Sequence, residues 1–175
     1  MRSSARRLKY TVLFAMFGSL MFASRVAMQG IPGFHLLGLF ISAFTLTYRK
    51  RALIPLYVYV MLEGVYSGFA KWWILYLYVW LPVWVMFMLA GSVRLARGVR
   101  TFTYMFLCAL HGLSFGLLCA PVDVWLLGLS FKALPAYVAA GFFAFDVPHA
   151  VGNFFMGTMI IPLSELLKKL DRRYY

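Results

Sequence analysis

The chain has 175 residues, 63% of them hydrophobic and 13% charged, with a formal net charge of +12 and a mean hydropathy of +0.82. Soluble domains carry about 45–50% apolar residues, and five acidic residues are too few to cover a water-facing surface of this size, so a soluble globular fold is excluded. A nucleic-acid binder is excluded as well: it gathers its cations on one solvated face, whereas here they stand in short runs between apolar stretches.

Taken in order, those stretches predict an all-α integral membrane protein, a six-helix transmembrane bundle in a single domain over 1–175. A span needs about 20 mostly apolar residues, and fewer where protein encloses it. The first is expected over 8–28, behind a basic start, as a signal anchor that stays. Gln29-Gly30-Ile31-Pro32-Gly33 reads as a turn. The second span, 34–47, stops at Tyr48-Arg49-Lys50-Arg51, and the third covers 52–69. The fourth, 72–91, precedes the basic stretch 94–100, and the fifth covers 101–120. Residues 122–133 carry Asp123 and Lys132, and 135–145 is apolar but short; this region is expected as an outer-surface or re-entrant helix before the last span, 147–167. Cys108 and Cys119 share one predicted helix, where about 16 Å of rise keeps them from pairing; they read as small packing or lipid-facing residues.

The cations orient the bundle. Alternate loops hold Arg2, Arg6, Arg7 and Lys9; Arg49, Lys50 and Arg51; Arg94, Arg97 and Arg100; and Lys168, Lys169, Arg172 and Arg173, fourteen of the 17 basic residues. The other loops hold Lys71 and Lys132, and Arg25 lies within a span. By the positive-inside rule both termini are cytoplasmic, in a multi-pass protein of the cell membrane bathed in lipid.

Polar residues inside a bilayer are expensive and mark functional sites. With this orientation Arg25, His35, Glu63, His111, Asp146, His149 and Asn153 all fall in the outer half, which points to a polar cavity opening outward. Trp72, Trp73, Tyr76, Tyr78, Trp80 and Trp84 supply an aromatic wall, and aromatics with a few convergent polar groups suit a small flat organic ligand. The expected substrate-binding residues are Arg25, His35, Glu63, Trp72, Tyr76, His111, His149 and Asn153. Structural roles compete with some of these. Arg25 and Glu63 read equally as a buried ion pair or a ligand site, and His35 and His149 as helix caps or headgroup-level residues. Asp146 reads first as an N-cap, with Pro148 in the first turn.

Span one also carries Ala15, Ser19, Ala23 and Ala27 at intervals of four, a smooth stripe on which another helix can pack closely. Motifs for ATP binding and for zinc of the His-Glu-x-x-His type are absent; Gly112-Leu113-Ser114-Phe115-Gly116 has the Gly-x-Ser-x-Gly spacing but lies inside a predicted span rather than at the strand-to-helix turn of a nucleophile elbow, and no catalytic residue, metal or cofactor is called for.

Two segments carry a resemblance: 30–38, Gly-Ile-Pro-Gly-Phe-His-Leu-Leu-Gly, and 145–154, Phe-Asp-Val-Pro-His-Ala-Val-Gly-Asn-Phe. The second is similar to the Asp-x-x-His-(Ala/Gly)-x-x-Asn opening of the last helix in the substrate-binding S-components of energy-coupling-factor (ECF) transporters. The stripe around Ala23-Ser24-Arg25-Val26-Ala27 is similar to the Ala-x-x-x-Ala feature of their first helix. The resemblance implies a six-span subunit that is not an enzyme and captures a vitamin or related micronutrient from outside. It implies that Ala15, Ser19, Ala23 and Ala27 pack on a transmembrane coupling subunit powered by two cytoplasmic ATPases. The rival readings are a membrane-embedded enzyme using His111, His149, Glu63 and Asp146, and a scaffold subunit without a ligand.

Overall fold

Inside a bilayer every backbone N–H and C=O has to be satisfied without water, which an apolar segment of this kind achieves as a helix. The computed structural model describes residues 2–31 and 33–173, and it is all-helical, with no strand among the described residues. Pro32, within the expected turn, lies outside the described residues. The helices are α1 (Arg2–Ala27), α2 (Leu37–Tyr48), α3 (Leu53–Tyr66), α4 (Leu81–Ala90), α5 (Arg97–Leu126), α6 (Leu134–Gly141), α7 (Val147–Gly157) and α8 (Ile160–Arg173). Short 3₁₀ turns at Arg49–Ala52, Lys71–Leu77 and Phe131–Ala133 lead into α3, α4 and α6, and a π turn at Phe142–Asp146 leads into α7.

Four helical stretches are long and apolar enough to cross a membrane: Arg6–Ala27, Lys71–Ala90, Arg97–Leu126 and Phe131–Gly157. Their outer faces are greasy. On α5, Phe102, Phe106, Leu110, Leu113 and Leu117 form one exposed stripe at helical spacing, and on α1 Leu8, Val12, Met16 and Leu20 form another. Exposed apolar surface that continuous belongs to a membrane protein.

The boundaries differ from expectation in three places. First, α2 and α3 have 12 and 14 residues, so about 18 and 21 Å of rise, short of a hydrocarbon core of about 30 Å. In α2 the unbroken run Leu37–Thr45 is buried, so packing rather than lipid thickness sets its length. Second, 122–145 is not a separate surface helix. Residues up to Leu126 extend α5 through Pro121, and α6 runs through the π turn into α7. Third, the segment expected as a last span, 147–167, breaks at Thr158-Met159. Pro162 has no N–H to give the carbonyl of Thr158, which removes one helical hydrogen bond at this break.

Packing is set by small residues. Gly18 of α1 faces Val58 and Pro55 of α3, where a β-carbon would sit 2.9 Å from the Pro55 carbonyl oxygen. Gly157 of α7 faces Met105 of α5, with a β-carbon 2.7 Å from its Cα. The polypeptide from α6 to α8 runs antiparallel to α5 along its whole length. Tyr137 lies by Asp123, Asp146 by Gly116, Gly157 by Met105, and Glu165 by Arg97 and Arg100.

Basic segments far apart in sequence meet at one end of the bundle. Lys9 pairs with Asp171 at 3.3 Å, and Arg51 lies over the Tyr10 ring. Glu165 takes Arg97 at 3.6 Å and Arg100 at 3.7 Å. Arg49 Nη2 donates to the Met88 carbonyl at 2.8 Å and to Ser92 Oγ at 3.0 Å. The polar residues discussed next occupy the other end.

The close approach of α1 and α3 is testable. Gly18→Val is expected to lower the thermal unfolding temperature of the detergent-purified protein by an amount equivalent to about 1–3 kcal/mol of overpacking. Gly98→Ala, at an α5 position with open space around it, is expected to be neutral or slightly stabilising. Equal effects of the two would contradict the packing described.

Candidate ligand site

The site is built in two layers and a mouth. In the first layer Arg25, near the end of α1, meets Glu63 of α3, with Nη2 2.9 Å from Oε1. Glu63 is 0% exposed, and Arg25 retains 22%. Tyr59 and Tyr76 stack 6.2 Å apart beside the pair. The turn that follows α3 closes tightly over it: Trp73 Nε1 donates to the Val60 carbonyl at 2.8 Å, and the Phe69 ring lies directly on Gly64. Both readings of the pair start from this geometry. Removing one partner would leave the other charge buried and uncompensated.

The second layer brings together all three histidines of the chain. The His35 and His149 rings lie 5.0 Å apart, and His149 stacks on Phe115 at 5.7 Å and 13°. His111, 1% exposed, lies against Trp80 and Phe115. Trp80 is the hub. Its ring centroid is 5.6–6.3 Å from those of Phe115, His111, Tyr76, Tyr59 and His35, so it joins the two layers. Asn153, 1% exposed, is wedged between Gly38 and Gly112, where β-carbons would lie 3.1 Å from its Oδ1 and 2.8 Å from its Nδ2. Both ring nitrogens of His111, Nδ1 of His35, Nδ2 of Asn153 and Nε1 of Trp80 are buried without a hydrogen-bond partner among the described residues. A buried polar group left so is costly.

The mouth is a cavity of about 480 Å³ next to this layer. Its wall comes from the 3₁₀ turn Lys71–Leu77 (Trp72, Tyr76), from α5 (Phe115, Cys119, Asp123), from α6 (Tyr137) and from the π turn and α7 (Phe145, Asp146, His149). π turns within α-helices concentrate at functional positions, and this one aims two lining residues. Asp146 Oδ1 accepts from the Gly116 N–H across the helix pair at 2.8 Å. His149 Nδ1 lies 2.7 Å from the Phe145 carbonyl oxygen. A carbonyl can only accept, so Nδ1 carries the proton and Nε2 of the neutral ring is an acceptor.

Of the expected site residues, Trp72, Tyr76 and His149 line the cavity. His35, His111 and Asn153 form the layer adjoining it, and Arg25 and Glu63 stand beside Tyr76. Asp146 does not act as an N-cap: no capping hydrogen bond forms, because α6 feeds α7 through the π turn and no free helix start exists there. Asp123, Tyr137, Phe115 and Phe145 also line the cavity, though no sequence pattern marks them as site residues. They reach the cavity because the far end of α5 and α6 form a hairpin beside it. Cys108 and Cys119 are buried free thiols, and Cys119 lines the cavity. Among the described residues no three His, Cys, Asp or Glu side chains are grouped so as to hold a metal ion.

Fold and site together are those of a helical membrane protein with a partly open cavity of small-ligand size that several aromatic rings line. Compared with known proteins, the chain matches no family model, no curated protein and no solved structure.

The buried pair yields a direct test. Arg25→Ala and Glu63→Ala are each expected to destabilise the purified protein by about 3–5 kcal/mol, and a double Arg25→Met, Glu63→Leu variant to recover most of that loss. Thermal unfolding in detergent reads the result, and full additivity of the single losses would rule out a mutual pair.

Proposed function

We propose that this protein is the substrate-capturing S-component of an ECF-type transporter of the cell membrane, taking up a vitamin or related micronutrient. The observation that carries the reading is the 480 Å³ aromatic cavity at the end of the bundle remote from the gathered cations. With the cationic end in the cytoplasm, that cavity faces outward. In this reading the bundle makes six crossings, with α2 and α3 as the enclosed second and third and α7–α8 as the last. The α5–α6 hairpin then projects on the outer side, and both termini are cytoplasmic.

Two further features support the reading. Segments 30–38 and 145–154, which carry the resemblance, pack on each other: Gly33 on Pro148, Gly152 on the Gly33 carbonyl, His35 on His149 and Gly38 on Asn153. Ala15, Ser19, Ala23 and Ala27 are exposed on α1 rather than covered by α2 or α3, which leaves their face open to a coupling subunit. In operation the hairpin and the turn 67–77 close over the substrate. The loaded protein presents the α1 face to the coupling subunit, and motion driven by two ATPases releases the substrate inward. This chain supplies binding and no chemistry.

The reading predicts that the protein co-purifies with a transmembrane coupling subunit and two ATPases from its native membrane, and that native mass spectrometry finds a retained small molecule. Ala23→Arg is expected to abolish uptake of that molecule in cells while leaving its binding to the purified protein intact. Undiminished uptake would remove the role given to the α1 face, and the absence of any retained or bindable molecule would remove the capture function.

A further inference from the structure

The five acidic residues divide sharply. Glu165 and Asp171 meet Arg97, Arg100 and Lys9 at the basic end, and Glu63 meets Arg25. Asp123 and Asp146 have no cationic side chain within 4 Å among the described residues, and both line the cavity. In a chain with 17 Lys and Arg, no described Lys or Arg lines it.

The partners these carboxylates do have leave acceptor capacity toward the cavity. Asp146 is 2% exposed, and its Oδ1 takes the Gly116 N–H while Oδ2 has no protein donor among the described residues. Asp123 Oδ2 accepts from the Tyr137 hydroxyl at a long 3.3 Å. His149 adds the Nε2 acceptor, since its Nδ1 proton is committed to the Phe145 carbonyl. A buried carboxylate without a cation is costly, and a cationic ligand would supply what the protein withholds. The largest side chains of the remaining wall are aromatic: Trp72, Tyr76, Phe115, Tyr137 and Phe145. Their ring faces attract a cation and stack on a flat ring.

We propose that the cavity selects a flat organic cation, its ring against the aromatic wall and its positive nitrogen held by Asp146 and Asp123. This rests on the cavity being the capture site, and it deepens that reading by giving the captured molecule a charge and a shape. An anionic ligand is disfavoured by the same two carboxylates.

The test uses the full chain in lipid nanodiscs and two probes of matched bicyclic shape, N-methylquinolinium and 2-naphthoate, with binding read by tryptophan fluorescence and calorimetry. Saturable binding of the cation, about tenfold tighter than the anion or better, is expected. Asp146→Asn keeps a carbonyl oxygen for the Gly116 N–H while removing the charge, and Asp123→Asn provides a second variant away from that contact. Each, checked for wild-type thermal unfolding, is expected to weaken the cation about tenfold and to leave naphthoate unchanged or tighter. The proposal is overturned if the cation does not saturate, if naphthoate binds as well, or if both folded variants keep wild-type affinity for the cation. A neutral or anionic molecule retained in native mass spectrometry would overturn it too, while leaving the capture function standing.

Discussion

The close approach of three backbones around His149 and Asn153 holds this molecule's site together. α5 comes up to α7 at Gly112 and to the π turn before it at Gly116, while α2 and the segment leading into it reach α7 through Gly38 and Gly33. At Gly33 two constraints coincide: φ is +76°, which favours glycine, and a β-carbon would strike Pro148 at 2.7 Å. In lipid, helices gain little from excluding apolar surface from one another, so contact distance and internal hydrogen bonds decide how they associate. With side chains at those positions α5 and α7 would stand farther apart. Asp146 would then lose the Gly116 N–H, and the histidines would no longer share one layer.

Once the backbones are that close, polar groups otherwise scattered along the chain become neighbours. His35 precedes α2, His111 lies in the middle of α5 and His149 is in the first turn of α7, yet all contact Trp80 or Phe115. The Arg25–Glu63 pair is joined to them through Tyr59, Tyr76 and Trp80. The result grades from a closed ion pair, through a buried layer of unsatisfied nitrogens, to an open aromatic mouth with two carboxylates.

Much of this could be read directly from residue patterns. Mean hydropathy and the spacing of basic runs identify a helical membrane protein, since both depend on transfer of individual side chains out of water. The C-terminal end of α1 follows from the same signal, and the polar residues that the sequence puts in one half meet at one end of the bundle. The extent of single helices was less visible. α2 looks like a short span because burial in protein and burial in lipid select the same residues. The region 122–145 looks broken because Pro121, Asp123, Gly128 and Pro135 are breakers in water, whereas helices in a membrane protein absorb Pro and Gly more readily.

Composition and periodicity, then, determined the solvent, the helical class and the existence of a polar half, because those properties add up residue by residue along the chain. Which polar residues face a cavity depended on the antiparallel register of α5 with α6–α8. That register comes from matching glycines to bulky partners across two helices, a pairwise fit between distant positions that no local pattern contains. Asp146 shows the difference: locally it is a helix cap beside Pro148, and only the approach of Gly116 from α5 makes it a carboxylate at the wall of a cavity.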